Sequence, residues 1–163
     1  IIKGAAVGFA DAPLCEKEPY IIRYAEMIDN WAECDCFCSC IKVKKSEEDD
    51  LLRIAERLMY RKEEFVSRVG TVLMFSKFSD EPTVRKALEI YDRLPSGEYY
   101  RDMAVAWGIS VYCVRYPQLI VKYLEHSPIS IAVKLAAAQK IRDSRRISDE
   151  VKHRVTDTVN AQR

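Results

Sequence analysis

Glycine is scarce, five residues in 163. A chain so poor in glycine is not expected to build an all-β fold, and it contains neither GxGxxG nor GxxxxGK[ST], the glycine-rich loops that cradle phosphates. Histidine is scarcer still. His126 and His153 are the only two, both late in the chain, so a histidine-rich metal site is not expected. No stretch approaches the ~18 uncharged apolar residues that a membrane-spanning helix needs. A net charge of one sign is missing too: 26 basic and 25 acidic side chains leave +1. That excludes a uniformly basic nucleic-acid binder but leaves room for a local basic patch. The charge is uneven. Residues 1–59 carry 8 basic and 12 acidic side chains, and residues 134–163 carry 8 and 4.

Cysteine is present in number, six residues, four of them alternating as Cys34, Cys36, Cys38 and Cys40. Neighbours that close rarely meet disulfide geometry with one another. No CxxC pair or Cys/His combination of zinc spacing occurs. The expectation is small buried hydrophobes, reduced and metal-free, in a cytoplasmic protein. The chain opens Ile1-Ile2-Lys3-Gly4, without methionine or the layout of a signal peptide. An apolar start of this kind reads as the interior of an element, with part of the protein expected upstream.

Apolar residues recur at helical spacing almost throughout, and strand-like alternation is nearly absent. Ile21, Tyr24, Ala25 and Ile28 share a face of segment 18–28. Asp29-Asn30 caps a helix from Trp31 to about Lys44. Ser46 and the acids that follow open another, over 46–59, with Leu51, Leu52, Ala55 and Leu58 as its stripe. Segment 62–78 reads as mostly buried. Asp80-Glu81-Pro82 opens the next helix and Pro95-Ser96-Gly97 is a turn. Helix 98–115 carries Met103, Ala104, Trp107 and Val111. Pro117, Ser127-Pro128 and Ser148 start the rest. The prediction is an all-α chain of about nine or ten helices paired by short loops, read as a single helical-repeat domain over residues 1–163.

Trp31, Arg68 and Trp107 lie 37 and 39 residues apart. That is close to the two-helix repeat of roughly 40 residues in HEAT and armadillo arrays. With that period, Trp31 and Asp35, one helical turn apart, share a concave face with Arg68 and Trp107. Two indoles, a carboxylate and a guanidinium suit a ligand that combines phosphate with positive charge. Spacing alone also allows, and favours, two core tryptophans and a structural Asp–Arg pair.

The run Asn30-Trp31-Ala32-Glu33-Cys34-Asp35 resembles the N-W-x3-D motif of the DNA alkylation repair enzymes, the HEAT-like-repeat alkylpurine DNA glycosylases. Arg68 within Glu64–Val69, the stretch Tyr99–Trp107 and the tail Gln139–Ser148 are similar in the same order and at family spacing. The resemblance spans roughly residues 16–155. It implies a right-handed α-α superhelix of stacked HEAT-like hairpins and excision of N3- or N7-alkylated purines from double-stranded DNA. It implies no cofactor, no metal, no membrane and no obligate protein partner, and a cytoplasmic, nucleoid-associated location. By resemblance, Asp35 is the catalytic carboxylate and Trp31 and Trp107 embrace the deoxyribose. Arg68 lies near the backbone, and the basic tail residues Arg142, Arg145 and Arg146 are expected to bind DNA. The chain departs from the family where a second arginine is replaced by Ser67 and a basic residue by Ser110, and the resemblance implies about two further N-terminal helical pairs upstream of Ile1. A non-catalytic DNA-binding relative and a HEAT-like interaction scaffold remain as alternatives.

Overall fold

Alternation of helix-capping signals with amphipathic stripes produces helices throughout. A computed structural model describes residues 2–163, and among them are ten α-helices, one 3-10 turn and no strand. The helices are α1 (Ile2–Phe9), α2 (Leu14–Ala25), α3 (Trp31–Cys40), α4 (Glu48–Met59), α5 (Glu64–Lys77), α6 (Glu81–Tyr91), α7 (Tyr99–Arg115), α8 (Pro117–His126), α9 (Ile131–Asp143) and α10 (Asp149–Asn160). No helix among the described residues is long and apolar enough to cross a membrane. The packing divides the chain, read from sequence as one domain, into two compact units. One runs to Phe78 and the other is Ser79–Arg163. The seam falls between the end of α5 and Asp80, whose carboxylate accepts from Thr83 N at 3.0 Å and caps α6.

In the first unit α5 packs on α4 and α3, and every residue from Val66 to Phe75 is buried. Leu51, Ile54, Ala55, Leu58 and Met59 are the matching stripe of α4. The two helices approach closely at Gly70. A Cβ there would lie 2.5 Å from Met59 N and 2.6 Å from Ala55 O, so no larger residue fits. Ser67 Oγ donates to Met59 O at 2.7 Å and is fully buried. Ser67 thus serves the α4–α5 contact.

Several boundaries differ from the sequence reading. α2 starts four residues before the expected 18 and carries Pro19 inside it. Its first amide, Leu14 N, donates to Glu47 Oε1 at 2.7 Å, a non-local cap. α3 ends at Cys40 rather than about Lys44, because Ile41 turns extended and buries its side chain. Lys77 Nζ donates to Ile41 O at 2.7 Å and fixes that exit, a cation at a helix C-terminus. Ser46 is not the cap of α4. Glu47 holds that position without a side-chain bond to α4; its other carboxylate oxygen accepts from Lys44 N at 3.0 Å and closes the 3-10 turn ahead of the helix.

In the second unit α7, the longest helix, packs on α9 and α8, and α10 closes on α8 and α9. Gly97, at φ +112, makes the turn before α7, a conformation that suits glycine alone. Ser130 rather than Ser127 caps α9, and Ser148 caps α10 as expected. Buried Lys134 donates to Gln162 Oε1 at 2.5 Å, and Gln162 Nε2 donates to Leu124 O at 3.0 Å, which ties the chain's last turn to α8 and α9.

Candidate nucleic-acid interface

The start of α3 sets the first part of the site. Asn30 Oδ1 accepts from Glu33 N at 2.9 Å and fixes the first turn. Trp31 is therefore the first helical residue, and its indole is 55% exposed. One turn on, both Asp35 carboxylate oxygens accept from Arg68 Nη2, at 2.9 and 3.0 Å. The Arg68 side chain is 6% exposed and that of Asp35 is 22% exposed. A guanidinium rooted in α5 thus grips a carboxylate that still reaches solvent.

The inward face of the same helix carries Cys34 and Cys38, both fully buried. Cys38 Sγ donates to Val69 O at 3.6 Å, beside Arg68. Burial pushes the Cys38 thiol well above its usual range, which makes it inert at neutral pH. Cys36 is exposed and Cys40 half-buried. The expectation of four buried cysteines holds for one i,i+4 pair and fails for the other, because the two pairs project from different faces of α3. All six cysteines are free thiols.

In the second unit the stripe Met103, Trp107 and Val111 is not the core of α7. All three are half-buried, while Ala104, Val105, Gly108, Ile109 and Tyr112 are the inward face. Trp107 lines an open pocket of about 370 Å³ between α7 and the end of α9, with Val111, Val114, Ser110, Lys140, Asp143, Ser144 and Arg146. Ser110 Oγ turns back to Trp107 O at 2.7 Å. Asp143 Oδ1 accepts from Gln139 Nε2 at 2.8 Å.

Of the residues expected from sequence, Asp35 and Arg68 are in direct contact and Trp31 stands one turn from Asp35, all within the first unit. Trp107 and Arg146 share the pocket of the second unit. Arg142 and Arg145 are exposed and do not line it, and Arg142 donates to Gln139 Oε1 on its own helix. Lys140 was missed. Its place beside Trp107 depends on how α9 lies along α7, which no local signal gives. The reading of two core tryptophans does not hold, since neither indole is buried; the Asp35–Arg68 pair does hold. Among the described residues no group of three or more His, Cys, Asp or Glu is placed to hold a metal ion. Each unit thus carries a surface-reaching indole beside a cation: Trp31 near the Asp35–Arg68 pair in the first, and Trp107 with Lys140 and Arg146 in the second. No protein-family model, curated protein or solved structure gives a significant match to this chain.

Proposed function

We propose that this protein is a DNA N-glycosylase that excises positively charged N3- and N7-alkylated purines from duplex DNA. The observation that supports it best is the Asp35 carboxylate, held by Arg68 at 2.9 and 3.0 Å yet still reaching solvent one turn from an exposed indole. Alkylation at N3 or N7 gives the purine a positive charge and makes it a good leaving group. As the glycosidic bond breaks, the electron pair leaves with the base and positive charge moves to the sugar. A fixed carboxylate stabilises that charge and orients or deprotonates the attacking water. Indole faces act in the same sense. The chemistry asks nothing of a metal or organic cofactor. The Trp107 pocket, with Lys140 and Arg146, supplies backbone contacts.

The reading carries with it a right-handed superhelix of HEAT-like hairpins. It also puts the protein with the nucleoid in the cytoplasm. A second reading, a DNA-binding relative without catalysis, draws on the same ion pair. A carboxylate gripped by a nearly buried arginine also fixes α3 to α5. Incubation of the protein with duplex DNA carrying 7-methylguanine separates the two. Free 7-methylguanine, with an alkali-labile site left in the strand, supports the glycosylase. Binding without base release supports the non-catalytic relative, and neither binding nor release supports a protein-interaction scaffold.

A further inference from the structure

Four cysteines in seven residues are not accounted for by DNA chemistry, and the structure divides them into two kinds. Cys34 and Cys38 are sealed in the core. Cys36 and Cys40 sit one turn apart on α3, the first exposed and the second half-buried. We propose that Cys36 and Cys40 together form a two-sulfur site for trivalent arsenic.

Geometry selects the ligand. Side chains at i and i+4 of a helix hold their Cβ atoms ~5–6 Å apart. A direct disulfide wants ~3.5–4.5 Å. The pair is therefore too far apart to close on itself inside an intact helix. A single thiophilic atom inserted between the sulfurs spans the difference. Zinc and similar ions want four ligands, and among the described residues no third His, Cys, Asp or Glu is placed to help. The site fits an atom satisfied by two protein thiolates, and trivalent arsenic bearing one further substituent is such an atom. Lys77 adds to the case. Its ammonium, anchored on Ile41 O at 2.7 Å and 3.5 Å from Ser39 O, puts a cation at the end of α3 where Cys40 lies.

The reaction balances without oxidant or reductant. Two thiols meet an As=O group, two As–S bonds form, the As–O bond is lost, and the two thiol protons leave with the oxygen as water. Arsenic remains trivalent.

The test uses phenylarsine oxide on the whole reduced chain, with excess 2-mercaptoethanol to strip arsenic from single thiols, read by intact mass. The expected result is one phenylarsenic group per chain in the wild type and in Cys15→Ser, and none in Cys36→Ser or Cys40→Ser. Cys15 is an exposed thiol on another helix and serves as the control. Cys36→Ser changes an exposed residue, and an unchanged melting curve shows that loss of the adduct is not loss of the fold. A wild type that takes no arsenic overturns the proposal, and so does an adduct that survives either Cys36→Ser or Cys40→Ser. None of these outcomes bears on base excision, so the two proposals stand or fall separately.

Discussion

Asp35 and Arg68 are unequal partners, and the inequality sets what each substitution should do. Arg68 is rooted in a buried helix and its side chain is 6% exposed. Replacing it with methionine leaves a carboxylate without its cation and puts an apolar chain in a place shaped for a guanidinium. Breaking a largely buried pair by removing one partner costs about 3–5 kcal/mol, and the half-open position of Asp35 puts the expected loss at the lower end. Trp31, at 55% exposure, has little to hold the fold. Trp31→Ala should alter stability by no more than about 0.5 kcal/mol, as surface substitutions do, while weakening DNA binding. Urea unfolding of both variants, with binding isotherms alongside, checks the contrast. Equal destabilisation by the two would show that the indole is structural. The thiols divide in the same way. Burial pushes Cys113 up to about 12 and Cys38 well above the usual thiol range. Cys15 and Cys36 should therefore react with a thiol reagent in the native state. Cys34, Cys38 and Cys113 should wait for unfolding, which a time course of labelling in buffer and in urea reads directly.

Helix–helix contacts explain which boundaries the amino acids announce. Asn30, Asp80 and Ser148 are caps in both the sequence and the structure, because each is satisfied by an amide three residues on. Such local chemistry is legible. The end of α3 is not. Ile41 and Val43 continue an apolar pattern, and the helix stops because Lys77, 36 residues away, takes the carbonyl of Ile41. The start of α2 is hidden likewise behind Glu47, 33 residues from Leu14. For the candidate site, helical spacing put Trp31 and Asp35 on one face, and the Asp35–Arg68 pair was among the arrangements it allowed. Lys140 was not legible, since its place beside Trp107 depends on how α9 lies along α7. The Gly70 crossing makes its own prediction. A Cβ there meets backbone atoms at 2.5 and 2.6 Å, which cannot rotate away. Gly70→Ala should cost about 1–3 kcal/mol through overpacking, despite alanine's better helix propensity. A fall in the urea midpoint with an unchanged slope is the expected signature, and a stabilised variant would mean that α4 and α5 lie farther apart.

Across the chain the charge is balanced, so the proposed DNA affinity would have to come from a few placed cations rather than from net charge. Lys140 and Arg146, at the Trp107 pocket, should matter more than Arg142 and Arg145, which do not line it. Lys140→Gln and Arg146→Gln should weaken binding alike on all sequences. Each should flatten the plot of log affinity against log salt by about 0.9, the increment for one phosphate contact on duplex DNA. Fluorescence anisotropy over a salt series measures this, and slopes equal to the wild type would show that both cations are merely solvated. The most direct measurement concerns Asp35. Asp35→Asn keeps the size of the side chain and removes its charge. Single-turnover release of 7-methylguanine by wild type and variant, on duplex both proteins saturate, isolates the bond-breaking step. The expected result is a rate lower by about 10²–10³, the usual cost of losing one preorganised electrostatic group, with binding to undamaged duplex unchanged or tighter. A variant that releases base at the wild-type rate would contradict the catalytic role proposed for Asp35, and so would one in which binding and excision fall together; some loss of stability is expected either way, because Arg68 is left nearly buried without its carboxylate.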